Sequence, residues 1–154
     1  MVAIYTDGSS RGNPGPGGYG VVLKYRGHRK ELSAGFKRTT NNRMELLAVI
    51  VGLEALKTKK QAATIYSDSK YVVDAVQKGW LVSWLKRDFK GKKNADLWKR
   101  FCKIHQQHQV SFCWIKGHAG NAENERCDQL AVQGAQQQML FVDQGYLDSI
   151  KNQY

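Results

Sequence analysis

The chain has 154 residues, about the length of one domain. It carries 24 lysines and arginines against 13 aspartates and glutamates, a formal net charge of +11, and 42% of its residues are hydrophobic. This balance argues against intrinsic disorder, and the excess of positive charge favours a polyanionic partner such as nucleic acid over a protein that is merely basic.

Local sequence features argue against a secreted protein, a membrane-spanning protein and a cysteine-based metal site. The chain starts directly with Val2-Ala3-Ile4-Tyr5, without the pattern of a secretory signal. Its longest apolar run, Met44 to Leu56, contains Glu45 and Glu54 and is too short to span a bilayer. The 3 cysteines lack the spacing of a metal site and fit reduced thiols better than a disulfide framework. We therefore expect a cytoplasmic protein that does not contact membranes.

The first half of the chain predicts three strands with short connections, followed by a long helix. The strands are Val2–Thr6, Tyr19–Tyr25 and Lys30–Phe36. Asn41 or Asn42 is the predicted cap of a helix that runs to about Lys57 and is apolar on most of its surface.

The second half predicts helices between two further strands. The strands are Thr64–Ser67 and Val110–Ile115, and the helices are Asp68–Gln77, Trp80–Phe89, Asn94 (as cap) to His105, and Ala122–Gln136. The tail after Met139 is weakly patterned, and no domain boundary is visible, so we expect a single domain over residues 1–154. An opening meander followed by strands reached through helices predicts an α/β fold with a mixed sheet and helices on its faces.

A glycine-rich stretch from Gly8 to Gly20 follows the first strand. It lacks the Gly-Lys-Ser/Thr ending of a nucleoside-triphosphate loop, and a strand follows it rather than the helix that a dinucleotide loop opens. Two interpretations stay open. It is a wide hairpin turn, or its backbone also approaches a sugar-phosphate chain, with Arg11 and Asn13 as donors.

Four acidic residues stand out in this basic chain. Asp7 and Asp68 end predicted strands, Glu45 lies in the first turn of the most apolar helix, and Asp128 lies beside the apolar stripe of the last one. Each alone fits a turn, a helix cap or a solvated position. Together they indicate a cluster, because neighbouring parallel strands deliver their carboxyl ends to one edge. Oxygen ligands suit Mg²⁺ or Mn²⁺, and two such ions about 3.5–4 Å apart activate water on a phosphodiester.

One histidine extends this set. His118 lies in a loop before the last predicted helix, where an imidazole relays protons at neutral pH. A surface histidine without a function is the alternative.

Five blocks of sequence resemble bacterial type 1 ribonuclease H and occur in the order of that family between Met1 and about Gln136. They are Asp7-Gly8-Ser9 with Gly12 to Gly20, Thr39-Thr40-Asn41-Asn42-Arg43-Met44-Glu45-Leu46, Ser67-Asp68-Ser69, Trp114-Ile115-Lys116-Gly117-His118-Ala119-Gly120, and Glu123-Asn124-Glu125-Arg126-Cys127-Asp128.

The resemblance implies a monomeric endonuclease that hydrolyses the RNA strand of RNA–DNA hybrids and leaves 3′-hydroxyl and 5′-phosphate ends. It implies a five-stranded sheet in the order 3-2-1-4-5 with an antiparallel opening meander. Asp7, Glu45, Asp68 and Asp128 take the positions of the metal-binding carboxylates, with Mg²⁺ as cofactor, Mn²⁺ as substitute and two ions with substrate. His118 takes the position of the histidine that assists proton transfer or product release.

The resemblance also implies the nucleic-acid contacts. Those facing the RNA strand or the cleft are Gly12, Asn13, Asn41, Asn42 and Lys70, and those gripping a DNA phosphate are Arg38, Thr40 and Ser83. Two of these positions depart from the family pattern, because Lys70 stands where glutamine is common and Ser83 where asparagine is expected.

A basic protrusion at about residues 78–94 is the other implied contact, and it is shorter than in well-known members. Its candidates for phosphate contacts are the basic residues Lys78, Lys86, Arg87, Lys90, Lys92 and Lys93. The aromatic residues that could pack on sugars are Trp80, Trp84 and Phe89. For Trp84 anchoring to the core is an equal alternative, and for Trp98 and Trp114 it is favoured.

Two other functions are weighed against hybrid cleavage. One is a nuclease of the same fold, such as a resolvase or transposase core, which would lack the Asn41–Glu45 block beside a basic protrusion. The other is a hybrid-binding module without catalysis, against which the four intact acids argue.

Overall fold

A computed structural model of the protein describes residues 1–151, and the last residues of the predicted domain, 152–154, lie outside the described part. Five strands form one sheet in the order β3-β2-β1-β4-β5. They are β1 (Val2–Ser10), β2 (Gly15–Tyr25), β3 (His28–Thr39), β4 (Ala62–Ser67) and β5 (Gln109–Trp114). Neighbours among β1, β2 and β3 are antiparallel, while β4 is parallel to both β1 and β5. The predicted mixed sheet, its order and its opening meander are confirmed.

Helices flank the sheet, as predicted. They are α1 (Asn41–Glu54), α2 (Lys70–Gln77), α3 (Trp80–Lys86), α4 (Ala95–His105), α5 (Ala122–Ala135) and α6 (Gln144–Lys151). None within residues 1–151 has the length and apolar character needed to cross a membrane.

The core explains why α1 is apolar on most of its surface. Ten of its 14 residues are buried, because the helix packs between the sheet and α4. Strand residues alternate between the two faces, as the pleat requires. Val21 points into the large cluster under α1, and Val22 packs on the opposite face against Cys127 and Leu130 of α5.

Glycines bring α5 unusually close to the sheet. A Cβ added to Gly20 would overlap the carbonyl of Cys127, and one added to Gly35 would overlap the backbone of Gly134. Since glycine has weak strand propensity, the glycine-rich segment from Gly8 to Gly20 predicts a turn in the sequence. The prediction of a wide turn over residues 8–20 was therefore wrong at both ends, because β1 extends to Ser10 and β2 begins at Gly15.

Three helix starts differ from the predicted ones. Thr40 caps α1 by accepting a hydrogen bond from the backbone N–H of Arg43, in place of Asn41 or Asn42. Ser69, rather than Asp68, caps α2 in the same way. Asn94 precedes α4, but its φ is 62° and its side chain makes no cap hydrogen bond. Its amide instead donates to the hydroxyl of Tyr71 at 2.9 Å.

The segment after residue 139 is structured, although its sequence pattern predicted no element. Phe141 bridges to β3, and α6 follows. The segment is fixed by Arg43, which is 2% exposed and donates to Asp143 at 2.8 and 2.9 Å. The same guanidinium donates twice to Asp96 at 2.8 Å. One buried arginine thus joins the starts of α1 and α4 to the C-terminal segment.

Candidate active site

The first acidic residue lies where two strands separate. β1 pairs with β4 only as far as Tyr5 and Tyr66, but it continues along β2 to Ser10. Asp7 therefore lies just beyond the parallel pairing, on a strand still held from the other side. Asp68 follows directly after β4 and reaches the same edge. The two carboxylates meet at one edge of the sheet, as predicted from the strand ends.

Gly8 brings the third carboxylate into this position. Its backbone N–H donates to Asp7 Oδ1 at 2.9 Å and to Glu45 Oε1 at 2.7 Å. A Cβ on Gly8 would overlap the backbone of Met44 and Glu45, so only glycine permits this approach of β1 to α1. The glycine explains why an acid in a buried helix faces the sheet edge.

Asp7, Glu45 and Asp68 offer carboxylate oxygens that all lie within 4.8 Å of one another. Asp7 and Glu45 are buried, at 7% and 5% exposure. Glu45 Oε2 is buried and has no hydrogen-bond partner among the described residues. A buried carboxylate oxygen without a partner is costly, and a cation that it ligates removes this cost.

The electrostatics of the cluster point the same way. Burial raises the pKa of Asp7 from 3.8 to about 6, although hydrogen bonds from its neighbours oppose the shift. Burial also raises the pKa of Glu45 well above its usual value, and the adjacent Asp7 adds to this. Burial raises the pKa of Asp68, which nearby His118 partly offsets. These carboxylates repel one another when ionised, so a positive ligand would stabilise their charged forms.

The donor set fits a hard divalent cation. Every ligand atom in the cluster is a carboxylate oxygen, and the described part of the cluster contains no thiol or imidazole ligand. Oxygen-only ligation suits Mg²⁺ or Mn²⁺ rather than Zn²⁺. Asp7, Glu45 and Asp68 are therefore the residues that could hold a metal ion.

The two remaining predicted residues of the site line the same cleft, which has a volume of about 450 Å³. Asp128 projects from α5 but is not one of the three acids within 4.8 Å. His118 lies exposed in the loop before α5, with a φ of 56°. The structure thus brings all five predicted residues together, with three in direct proximity and two at the wall.

Asn124 is a buried neighbour of the site that the sequence reasoning did not single out. It is 3% exposed, and its amide nitrogen has no well-formed hydrogen bond among residues 1–151. It nevertheless lies close enough to Asp68 to oppose the rise that burial causes in the pKa of this carboxyl. Its spacing of four residues before Asp128, which places both on one helix face, is the signal that could have found it.

The residues predicted to bind nucleic acid fall around two openings. Asn41, Asn42 and Lys70 line the acidic cleft. A second cavity of about 680 Å³ is lined by Asn13, Thr40 and Asn42, together with Lys92 and Lys93 of the predicted basic protrusion and with Asn94. Gly12 and Arg38, which neighbour Asn13 and Thr40 along the chain, are exposed to solvent. Asn13 Oδ1 accepts a hydrogen bond from the backbone N–H of Asn41 at 3.0 Å, which ties the glycine-rich turn to the start of α1.

The protrusion presents exposed polar and basic side chains at Ser83, Lys86, Arg87 and Lys90. Trp80 is 45% exposed, whereas Trp84 is half-buried, its ring edge-on to Trp98 at 5.6 Å between centroids. Phe89 is only 2% exposed, so the prediction that it packs on the substrate was wrong. Its backbone N–H bonds to the carbonyl of Trp84 at 2.8 Å, and the turn folds its ring into the core.

The other two tryptophans differ from each other. Trp98 is fully buried, as the anchoring interpretation predicted. Trp114 is 43% exposed at the end of β5, beside Asp68, so anchoring was the wrong interpretation for it.

Comparison with known proteins agrees with this geometry. The RNase H family model matches residues 1–136. A ribonuclease H of Desulforamulus reducens is 58% identical over 147 residues, which are 92% of this chain and 92% of the relative. A ribonuclease HI of Shewanella oneidensis is 52% identical over 151 residues, 95% of this chain and 94% of the relative.

Solved structures show the same fold. LC9-RNase H1, a type 1 RNase H with the type 2 active-site motif, superposes with a TM-score of 0.78 at 35% identity, covering 87% of this chain and 71% of that one. LC11-RNase H1 in complex with RNA/DNA hybrid superposes with a TM-score of 0.67 at 29% identity, covering 88% and 96%. The resemblance seen in the sequence motifs is confirmed, and the chain belongs to the RNase H family.

Proposed function

We propose that the chain is an endonuclease that hydrolyses the RNA strand of RNA–DNA hybrids and leaves 5′-phosphate and 3′-hydroxyl ends. The observation that carries this proposal is the group of three carboxylates within 4.8 Å, with a buried and unpartnered Glu45 oxygen. Membership of the RNase H family and the hybrid bound to LC11-RNase H1 support the choice of substrate.

Asp7, Glu45 and Asp68, with Asp128 at the cleft wall, are the proposed ligands of Mg²⁺, for which Mn²⁺ substitutes. When bound, two such ions would activate water and stabilise the leaving oxygen of the phosphodiester. The protein holds the carboxylates in place beforehand, because Gly8 fixes both Asp7 and Glu45 through one backbone N–H.

His118 is the proposed proton carrier. Its imidazole lies at the wall of the cleft, exposed to solvent and near Asp68, so a ring nitrogen can take up a proton from the cleft and release it to bulk water.

The substrate would be recognised by shape and by the ribose hydroxyl. Asn41 and Asn42 at the cleft offer amide donors and acceptors to a 2′-hydroxyl, the group that distinguishes RNA from DNA. Asn13 and Thr40 line the second cavity, whose Lys92 and Lys93 make it suitable for a phosphate of the other strand. The exposed Gly12 and Arg38 are proposed to add contacts beside it. The protrusion adds contacts that do not depend on sequence.

The test is cleavage of a labelled RNA–DNA duplex in Mg²⁺ and in EDTA by the wild type and by Asp7→Asn. We expect cleavage only with the metal, and near-complete loss in Asp7→Asn with hybrid binding in EDTA largely kept. Near wild-type turnover in Asp7→Asn would remove Asp7 from catalysis. Binding without cleavage by the wild type would favour a hybrid-binding module, and cleavage of four-way junctions instead of hybrids would favour a resolvase.

We further propose that the protein acts as a monomer in the cytoplasm. Its free thiols, Cys102, Cys113 and Cys127, include one exposed residue, Cys113, and a reducing compartment keeps such a group free. Size-exclusion chromatography with light scattering tests the monomer, and a mass near twice 17.4 kDa would contradict it.

A further inference from the structure

Trp114 is a large aromatic residue that the proposed chemistry does not use. It is the last residue of β5, where it pairs with Ser67 at the end of β4, one position before Asp68. It is 43% exposed, which is unusual for tryptophan and shows that burial in the core does not account for its position.

The two polar contacts of Trp114 lead to two different parts of the cleft. Its indole Nε1–H donates to the backbone carbonyl oxygen of Asp68 at 3.1 Å. The Nζ of Lys70 lies over the face of its ring, 5.1 Å from the centroid. One side chain therefore contacts the backbone of a proposed metal ligand and a cation that lines the same cleft.

The hydrogen bond fixes Asp68 at a point where the sheet no longer does. β4 ends at Ser67, and the last ladder contact in this direction is the bond from the Ile115 N–H to the Ser67 carbonyl at 2.9 Å. The carbonyl of Asp68 lies beyond this ladder and is held by the indole. Because a carboxylate ligand turns with its own backbone, this contact limits the orientation of the Asp68 side chain.

The cation lies at a position that disfavours it. Lys70 is the first residue of α2, and a positive charge at a helix N-terminus is disfavoured by the helix dipole. The aromatic face of Trp114 offsets part of this cost, since a cation over an aromatic ring is attracted by the electrons of the ring. The result is an exposed ammonium group held at the rim of an otherwise acidic cleft. An ammonium held there is suited to a phosphate of the strand that enters the cleft.

We propose that Trp114 is a positioning residue with two separable effects: its N–H orients the metal ligand Asp68, and its ring presents Lys70 to a backbone phosphate of the bound hybrid. This inference rests on the proposed function, since it assigns a task to residues at that site.

Three variants separate the two effects. Trp114→Phe keeps a ring under Lys70 and removes the N–H, Lys70→Gln removes the cation and keeps the indole, and Trp114→Leu removes both contacts. Arg26→Gln is the matched control, because Arg26 lies over the ring of Tyr25 at 5.1 Å, at the opposite end of β2 from the cleft. Thermal unfolding checks that each variant folds.

The measurements are Mg²⁺ binding to the substrate-free protein by calorimetry, hybrid affinity in EDTA over a range of salt concentrations, and kcat and KM in Mg²⁺. For Trp114→Phe we expect about tenfold weaker Mg²⁺ binding and a lower kcat, with KM held. For Lys70→Gln we expect unchanged Mg²⁺ binding, a higher KM, and a salt slope shallower by about 0.9, the value for one neutralised phosphate. Trp114→Leu should show both changes, and Arg26→Gln neither.

Wild-type Mg²⁺ binding in Trp114→Phe would overturn the orienting effect. A double variant tests the second effect. If Trp114 acts through Lys70, adding Trp114→Leu to Lys70→Gln weakens hybrid binding no further. Additive effects would show that the indole itself contacts the substrate and would overturn the proposal for Lys70. Failure of the wild type to cleave hybrids would refute the proposed function, while the Mg²⁺ and binding measurements would still decide this inference.

Discussion

Asp7 and Glu45 share a single backbone N–H donor, that of Gly8, and both carboxyls are buried. Burial raises the pKa of both, so the fold disfavours their charged forms more than the unfolded chain does. The fold therefore holds two carboxylates that repel each other in the positions that metal binding would require. Such local destabilisation at a functional site is measurable as a dependence of stability on pH.

We expect Asp7→Asn to stabilise the metal-free protein at neutral pH. The folded-state pKa of Asp7 is raised from 3.8 to about 6, so the wild type loses stability as pH rises through this interval, where the unfolded state ionises first. The gain from the neutral amide should be near zero below pH 4, grow up to about pH 6 and then level off, at no more than about 3 kcal/mol. Urea unfolding in EDTA between pH 3.5 and 8 measures it.

Asp148→Asn serves as the control for this experiment, because Asp148 is exposed on α6. A gain in Asp7→Asn that does not change with pH, or a loss at pH 7, would show that the carboxylate is not strained in the metal-free fold.

Some site residues could be predicted from the sequence and others could not, for physical reasons. Asp7 and Asp68 were predictable because strand ends fix where their side chains go, and Glu45 because an acid in a buried helix needs a partner. Phe89 was not predictable. Asp88 and Phe89 both adopt a positive φ, of 50° and 58°, and this turn carries the ring inward. An aromatic residue in a basic segment has the same sequence signature whether it faces solvent or core.

α6 in the C-terminal segment is a whole element that could not be predicted from the sequence. α6 contains no buried residue, and its apolar residues Tyr146, Leu147 and Ile150 cover little more than one turn, which is too short to identify a helix from the sequence. Its position depends on the ion pair of Asp143 with Arg43, which lies 100 residues earlier in the chain. Local patterns carry no information about such a contact, whereas they did indicate the remaining helices and all five strands, within a few residues at the ends.

We expect Asp143→Asn to destabilise the protein by about 3 kcal/mol, because Arg43 would keep a buried charge with one of its two carboxylate partners removed. Asp148→Asn, an isosteric change on α6 itself, should shift the free energy of unfolding by less than about 0.5 kcal/mol. Equilibrium unfolding in urea at pH 7 compares the two. Equal effects would mean that the arginine does not anchor the segment.

The protrusion is the element whose charges should govern affinity. Replacing Lys86 and Arg87 together by alanine should weaken hybrid binding and make its salt slope shallower by about 0.9 for each phosphate that is no longer neutralised. Lys57→Ala with Lys59→Ala is the charge-matched control, since these exposed residues precede β4, at the far end of this strand from Asp68. Fluorescence anisotropy in EDTA from low to high salt gives both slopes. If the two double variants gave the same slope, the protrusion would contribute only general charge.

At the scale of the whole molecule, the core is independent of the metal cluster. The main hydrophobic cluster joins the sheet, α1 and α4, and none of its buried members is a proposed metal ligand. The four proposed ligands come from β1, α1, the end of β4 and α5, all of which are fixed by this packing and by the second cluster under α5. We therefore expect the fold to form the site without an ion.

We expect EDTA to leave the far-UV circular dichroism spectrum unchanged and Mg²⁺ to raise the melting temperature. A ligand that binds only the native state at 100 times its Kd adds about 2.7 kcal/mol. The rise should be lost in Asp7→Asn, which removes a charged ligand oxygen. Unfolding of the wild type in EDTA, or an equal rise in the variant, would show that Mg²⁺ acts elsewhere.

The close packing of α5 on the sheet has a consequence for the position of Asp128 relative to the other acids. Asp128 lies on α5, and the distance of this helix from the strands depends on glycines that have no Cβ. A Cβ at Gly20 would overlap the carbonyl of Cys127, the residue before Asp128. A single alanine there would lift the helix and carry the fourth carboxylate away from the other three, with every residue of the cleft intact. The spacing of the four acids therefore depends on a glycine of β2 that contributes no side chain to the cleft.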